Sequence, residues 1–406
     1  MNASKYVYLD NAATTQMDPR VIEVMNEHFR TSYGNSSSLH SIGQKAAQTL
    51  VKSRETVASL INAKRDEIIF TCSGTEADNI AILGVALKNQ NRGKNIITSA
   101  IEHHAVENSC KSLKNRGFSI TFLPVDKYGL IDLRELEDMI TEETTLISIM
   151  FANNEIGTIE PIKEIGAIAK KHDVLFHTDA VQAFGKVPID VEAMNIDLLS
   201  ASAHKLYGPK GVGMLYLRNK GVSESRGKFI EPIMYGGGHE RDMRPSTINV
   251  PGIAGFAKAV ELVKNEMPKE IEIQTNFRDK IIKNVLDNIG DSYLNGHPTK
   301  RLPNNVNLGI RFIEGESIIL DLDSEGIAAS TGSACSSNSL EPSHVLLAIG
   351  LKPQEAHGSL RVTVGRFTTD DDIEYFLEKL PPIIDRLRKM SPLKSNKKNI
   401  FITKTR

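Results

Sequence analysis

Short apolar runs, mostly β-branched, recur along the first half of the chain at 67–71 (EIIFT), 95–98 (NIIT), 119–123, 146–150 (LISIM), 174–177 (VLFH), 197–201 and 212–217. Each has strand length and is bounded by polar or turn-forming residues. Most intervals between them carry apolar positions at helical spacing, as at 104–116, 132–140 and 161–172. Strand and helix in turn predict an α/β fold with a mainly parallel sheet and helices on both faces. Asp18-Pro19 reads as a cap followed by proline at the first helical position, opening a helix to about Arg30.

From about residue 252 a long charged helical stretch begins, with Gly and Pro scarce until Gly290. Beyond it the pattern loosens into α+β, with strands near 304–310 and 359–364 and helices near 315–323, 341–350 and 370–390. This predicts a large α/β domain over 15–262 and a smaller α+β domain made of 1–14 and 263–406. After Asp385 come eight basic residues and no acid, which reads as a solvated, frayed terminus.

Composition narrows the class. The 406 residues are 40% hydrophobic and 24% charged, an ordinary globular balance able to bury a core without staples. Forty-nine basic against fifty acidic residues leave a net charge of −1, so nothing favours a nucleic acid or an anionic membrane as partner. Three cysteines (Cys72, Cys110, Cys335) make no disulfide framework, and none has a close partner at metal-binding spacing. No secretory leader or membrane span is read, so a cytoplasmic protein is expected.

The candidate chemistry gathers at strand ends, where open α/β sheets bind ligands. Cys72-Ser73-Gly74-Thr75-Glu76 follows the strand at 67–71 and opens a helix, a setting for a phosphate or for no more than a helix cap. His177-Thr178-Asp179-Ala180-Val181-Gln182 places a carboxylate at the end of an apolar strand, costly unless a cation meets it. Ser202-Ala203-His204-Lys205 does the same with an amine. Asp179 and Lys205 either pair with each other or serve one cofactor, lysine as a Schiff base and aspartate on a ring nitrogen, the pyridoxal phosphate arrangement. Residues 329–339 (ASTGSACSSNS) hold nothing larger and apolar than alanine or cysteine. Such a segment is expected to be mobile, and Cys335 to be reactive or incidental rather than a packing residue.

Together HTDAVQAFGKVPID, SAHKLYGPKGVGMLYL, NNEIGT, GGGHER and STGSACSSNSLEPSHV resemble the NifS/IscS-type cysteine desulfurases, from about Tyr8 to Pro392 and in the family's order. The resemblance implies a fold-type I pyridoxal 5'-phosphate enzyme, usually a homodimer, that converts L-cysteine to L-alanine and keeps the sulfur as a persulfide. It places Lys205 at the Schiff-base position, Asp179 at the ring nitrogen, and Gln182 and Asn154 beside the cofactor. Gly74, Thr75, Ser202 and His204 match the phosphate grip, and Thr247 matches a threonine reaching the partner subunit's phosphate. His103 matches the histidine that stacks on the ring and carries protons, with His104 its neighbour. Arg361 matches the substrate-carboxylate arginine; without the family, a surface ion pair reads as well. Cys335 matches the persulfide-forming cysteine, with Cys72 and Cys110 read as packing residues. No metal site is expected, apart from transient ligation of an iron–sulfur cluster by Cys335. The implied sulfur acceptor is an iron–sulfur scaffold protein. A selenocysteine lyase or aminotransferase relative, and a catalytically silent sulfur-transfer subunit, are the other readings. An aminotransferase has no need of the Cys335 segment, and a silent subunit no need of Lys205, Asp179, His103, Arg361 and Cys335 together. Two departures stand out: Pro245-Ser246 replaces a small residue and glycine before Thr247, and 218–230 is a longer polar loop.

Overall fold

A computed structural model describes residues 6–219, 229–332 and 341–392. Cys335, most of 329–339 and of 218–230, and the basic tail from 393 lie outside the described residues. β1 (Val7–Tyr8) leads to α1 (Pro19–Thr31), whose cap Asp18 accepts from the Arg20 amide at 2.9 Å. α2 (Ser41–Ser59) is a helix the apolar pattern did not single out. Its buried face is mostly small (Gly43, Ala46, Ser53, Ala58), with Leu50 and Val57, so its stripe is faint.

The alternation then unrolls: β2 (Ile68–Thr71), α3 (Gly74–Asn89), β3 (Asn95–Ser99), α4 (His104–Lys114), β4 (Ser119–Leu123), α5 (Leu133–Asp138), β5 (Thr144–Ser148), α6 (Ile162–Lys171), β6 (Leu175–Asp179), β7 (Leu198–Ser202) and β8 (Gly213–Leu217). These strands form one sheet in the order β2-β8-β7-β6-β5-β3-β4. All neighbours are parallel except β8, which runs antiparallel to β2 and β7. The carboxyl ends of β2, β3, β5, β6 and β7 therefore share one edge. β6 and β7 run further than expected, to Asp179 and Ser202. Their last residues are polar, which ends an apolar run, but backbone pairing continues and the side chains find partners. His177 lies 2.8 Å from Ser148 Oγ and 3.0 Å from Ser200 Oγ. Strand β5 lies two residues earlier than its apolar run, because Thr144 and Thr145 are buried in the sheet.

α7 (Val250–Asn288) carries the chain onward as one long helix with Pro268 inside it. Its first half (Phe256, Val260, Val263) joins the core around the large sheet. Its second half (Phe277, Ile281, Val285) joins a separate core with Val7 and Leu9. After it come β9 (Ser292–Leu294), β10 (Asn305–Ile310), α8 (Gly315–Ser324), β11 (Ile327–Ala328), α9 (His344–Ala348), α10 (Pro353–Ala356), β12 (Ser359–Thr363) and α11 (Asp370–Met390). β12, β10 and β9 form an antiparallel sheet, and β1 pairs in parallel with β11. The N-terminal residues that follow β1 thus pass between the two cores. Among the described residues no helix is long and apolar enough to cross a membrane.

Candidate active site

At the shared strand edge lies a cavity of about 440 Å³. It is lined by Gly74, Thr75, His103, Asn154, Asp179, Gln182, Ser202, His204, Lys205 and Arg361, so ten of the residues singled out in the sequence meet there. Thr247 does not; it is exposed, between Pro245-Ser246 and α7. Cys335 lies outside the described residues.

One end is built from backbone. Ser73 ends the β2–α3 turn and caps α3, accepting from the Glu76 amide at 3.1 Å. A Cβ at Gly74 would stand 2.5 Å from Val181 Cγ2, so only glycine lets α3 begin this close to the β6 end. The free amides of the first helical turn, the hydroxyls of Thr75 and Ser202, and His204 make a site for an anion. The His204 ring, 3.1 Å from Thr14 Oγ1, is pushed down to about 4 by burial and then by Lys205, Lys210 and Lys186.

The middle holds the charged pair of strand ends. Asp179 is 6% exposed, and its Oδ1 accepts from the Val181 amide at 2.9 Å. Burial raises its pKa, while that amide bond and the Lys205 charge pull it back. Lys205 closes the single 3₁₀ turn Ala203–Lys205 after β7, and its Nζ donates to the carbonyls of Ala12 and Ala13, each at 2.6 Å. Lys210, the other lysine of this motif, is exposed. Gln182 Nε2 donates to the Ala12 carbonyl at 2.9 Å, so Gln182 and Lys205 face the same N-terminal segment.

His103 caps α4, its Nδ1 accepting from the Ala105 amide at 3.1 Å, which leaves the ring proton on Nε2. Burial, then Lys205 and the neighbouring His104 and His344, hold it down to about 4, so it is neutral at pH 7. Of the two asparagines after β5, Asn153 braces the turn, its Oδ1 accepting from the Glu155 and Ile156 amides at 2.8 and 2.9 Å. Asn154 lines the cavity.

The far end is Arg361 on β12. It is 2% exposed, so the surface ion-pair reading fails. Its guanidinium donates to Asp10 Oδ1 at 2.8 Å and to the carbonyls of Asn154 and Gly332 at 3.1 and 3.3 Å. Its Nε is buried without a hydrogen-bond partner among the described residues.

Sequence reading passed over Asp78, Asp10 and the Ala12-Ala13 carbonyls. Asp78 lines the cavity, and its buried carboxyl is pushed well up by burial and then by Asp179. A carboxylate one turn after Gly74, among the apolar positions Ala77, Ile80 and Ala81, was its only signal. Carbonyls carry no residue signature at all. Of the other cysteines, Cys110 is buried in the core, its thiol raised to about 12 by burial, whereas Cys72 is exposed and is not a packing residue.

The sequence profile of the Aminotransferase class-V family matches residues 7–376. The chain is 51% identical over 390 residues to a Methanosarcina thermophila protein named cysteine desulfurase IscS, covering 96% of this chain and 95% of that protein. A solved NifS-like protein superposes with a TM-score of 0.87 at 38% identity, over 94% of this chain and all of the other. The solved structure of SspA in complex with cysteine gives 0.78 at 36% identity, over 89% of this chain and all of the other. Strand order, cavity and sequence thus agree, and the chain belongs to the class-V aminotransferase family, grouping there with proteins named cysteine desulfurase.

Proposed function

We propose that this protein is a pyridoxal 5'-phosphate-dependent cysteine desulfurase that passes sulfur to an acceptor in iron–sulfur cluster assembly. The carrying observation is the convergence on one cavity of Lys205, Asp179 and His103 from the ends of β7, β6 and β3 with Arg361 from the middle of β12. The residues present fit the cofactor. The α3 N-terminus with Thr75, Ser202 and His204 suits its phosphate, Lys205 suits covalent attachment, and buried Asp179 gains a charge partner in a protonated ring nitrogen.

When bound, the cofactor supplies an electron sink for charge developing at the substrate Cα. Lys205 Nζ would hold the cofactor until the substrate amine displaces it, and the freed Lys205 amine would then be the base for the Cα proton. Asp179 keeps the ring-nitrogen proton in place. The Arg361 fork takes the substrate carboxylate, and neutral His103 moves a proton at the reacting centre. The Cys335 thiolate attacks the substrate Sγ: the Cβ–Sγ bond breaks, an S–S bond forms, and the carbon side takes a proton. One cysteine and one thiol give one alanine and one persulfide, with no outside oxidant. The proposal includes a homodimer, in which exposed Thr247 serves the phosphate of the other subunit's site.

The test is to incubate the purified protein and cofactor with L-cysteine, assay alanine and sulfane sulfur, and map added sulfur by mass spectrometry. Sulfur on the Cys335 peptide is expected, and Cys335→Ser should retain cofactor but release none. Alanine without sulfane sulfur, or sulfur on exposed Cys72, overturns the reading.

A further inference from the structure

Outside the cavity, one cluster of ligating side chains has no part in this chemistry. His104 and Glu107 stand one turn apart at the start of α4, and His344 opens α9. One ligand atom of each lies within 4.8 Å of one from each of the others. The two imidazole rings have centroids 4.8 Å apart, and His104 Nδ1 is 2.9 Å from Glu107 Oε2. All three residues are half-buried. His344 Nε2 donates to the Glu102 carbonyl at 2.9 Å, which makes Nδ1 the ring nitrogen that carries the lone pair. Metal-ligating histidines are held by such an outer hydrogen bond, which fixes tautomer and ring orientation.

We propose that His104, Glu107 and His344 form a binding site for one divalent transition-metal ion, with zinc as the type. Two imidazoles and one carboxylate are a zinc-type donor set that leaves a fourth position open. Calcium and magnesium, which take oxygen ligands, are poorly matched. Zinc ligands stand about 2.0–2.2 Å from the ion, so the three side chains must draw together by rotation. The His104 side chain, 41% exposed, is free to turn. Glu107 is shared: Lys111 Nζ bonds its Oε1, the oxygen away from His104, and so competes with an ion for the carboxylate.

An ion here would join the first turn of α4, whose cap is His103, to α9 in the C-terminal part of the chain. Binding to the folded state alone then raises stability with the logarithm of the free ion concentration once that exceeds Kd. The sequence pattern does not reveal the cluster, because His344 comes from a segment remote from His104 and Glu107.

The experiment is a cobalt(II) titration of the holoprotein after chelator treatment, followed by zinc titration in thermal melts. One equivalent of cobalt should give ligand-field absorption without a thiolate charge-transfer band. Glu107→Gln and His344→Ala should each weaken binding by about tenfold or more. Lys111→Met should tighten it several-fold by releasing Glu107. Zinc should raise the melting temperature of the wild type and much less that of either ligand variant. If one variant fails to fold, the other and Lys111→Met still decide. Binding unchanged in the ligand variants, binding below one equivalent, or a thiolate band that vanishes in Cys72→Ser overturns the site. None of these readouts depends on desulfuration, so the site and the proposed activity stand or fall separately.

Discussion

The two ends of the cavity are made from different kinds of sequence. The anion end is mainly one strand–turn–helix, Ser73-Gly74-Thr75, working through backbone amides and small hydroxyls. The Arg361 end is a meeting of distant segments: Asp10 before α1, Asn154 after β5, and Gly332 after β11. The first exists wherever β2 and α3 form with Gly74 between them. The second exists only once the N-terminal segment, the large sheet and the β12 sheet have come together. Lys205 and Gln182 sit between, both bonded to the Ala12 carbonyl that belongs to the same N-terminal segment. A family can thus keep its cofactor end fixed by a short motif and adjust what it accepts at the composite end.

If that division holds, each end can be damaged alone. Arg361→Lys replaces a fork of donors by a single ammonium and should cost about 1.5–3 kcal/mol of substrate binding, the scale of a hydrogen bond to a charged group. That is roughly 10- to 150-fold in KM for L-cysteine, with cofactor affinity retained. A steady-state KM equal to wild type would put the substrate carboxylate elsewhere and remove one side of the comparison. Gly74→Ala strikes the opposite end, forcing a methyl to 2.5 Å from Val181 Cγ2. Overpacking of this kind costs about 1–3 kcal/mol, and the loss should appear in cofactor affinity by absorbance titration. At saturating cofactor the KM should stay as in wild type. If it rises in step, the two ends are one unit.

The same division explains what the sequence made legible. The local motifs could be read: Gly74-Thr75, Asp179-Gln182 and Ser202-Lys205 each lie where a strand stops, and the alternating apolar runs located those stops to within about two residues. Arg361 could be placed only by resemblance, because nothing near residue 361 says that Asp10 and Asn154 arrive beside it. Helix α2 stayed hidden because small residues make a weak apolar stripe. Strand β6 looked as if it stopped at His177 because Thr178 and Asp179 are polar, and the partners that satisfy His177, Ser148 and Ser200, come from neighbouring strands.

A pH titration sharpens the anion side, because His177 lies under it, two residues before Asp179 on β6. Burial lowers its pKa to about 3 from an ordinary value of 6.5. Below pH 6.5 the unfolded chain takes up this proton while the folded chain does not. The associated stability is therefore fully present above pH 6.5 and lost as pH falls toward 3, by at most about 1.4 kcal/mol per pH unit. His177→Gln retains polar atoms for Ser148 and Ser200 but cannot titrate. Urea unfolding at pH 7 and pH 5.5 should show a shallower loss in the variant than in wild type. His103 and His204 are depressed in the same direction but are common to both proteins, so the difference reports on His177 together with Asp78, whose Oδ1 lies 3.6 Å from its Nε2. Parallel losses would mean the buried ring carries no such linkage.

The smallest effect lies in Thr247, the one site residue of the motifs, among the described residues, that neither end gathers in. Thr247 is exposed, and Ser246 before it takes φ 105°, a conformation that glycine enters freely and a serine does not. The resemblance to the NifS/IscS-type family implies glycine at this position, where the strain would be absent. Strain of this kind costs of order 1–3 kcal/mol, and glycine gives part of that back through the unfolded chain. Ser246→Gly should therefore raise unfolding free energy by about 1 kcal/mol. It should leave KM for L-cysteine unchanged, because neither Arg361 nor its partners touch this loop. If Thr247 serves a second subunit, the relaxed backbone should also alter cofactor affinity in the dimer, without the loss expected of Gly74→Ala. A variant no more stable than wild type would show that serine meets no penalty at φ 105°. A variant whose KM for cysteine moved would tie this loop to the composite end after all.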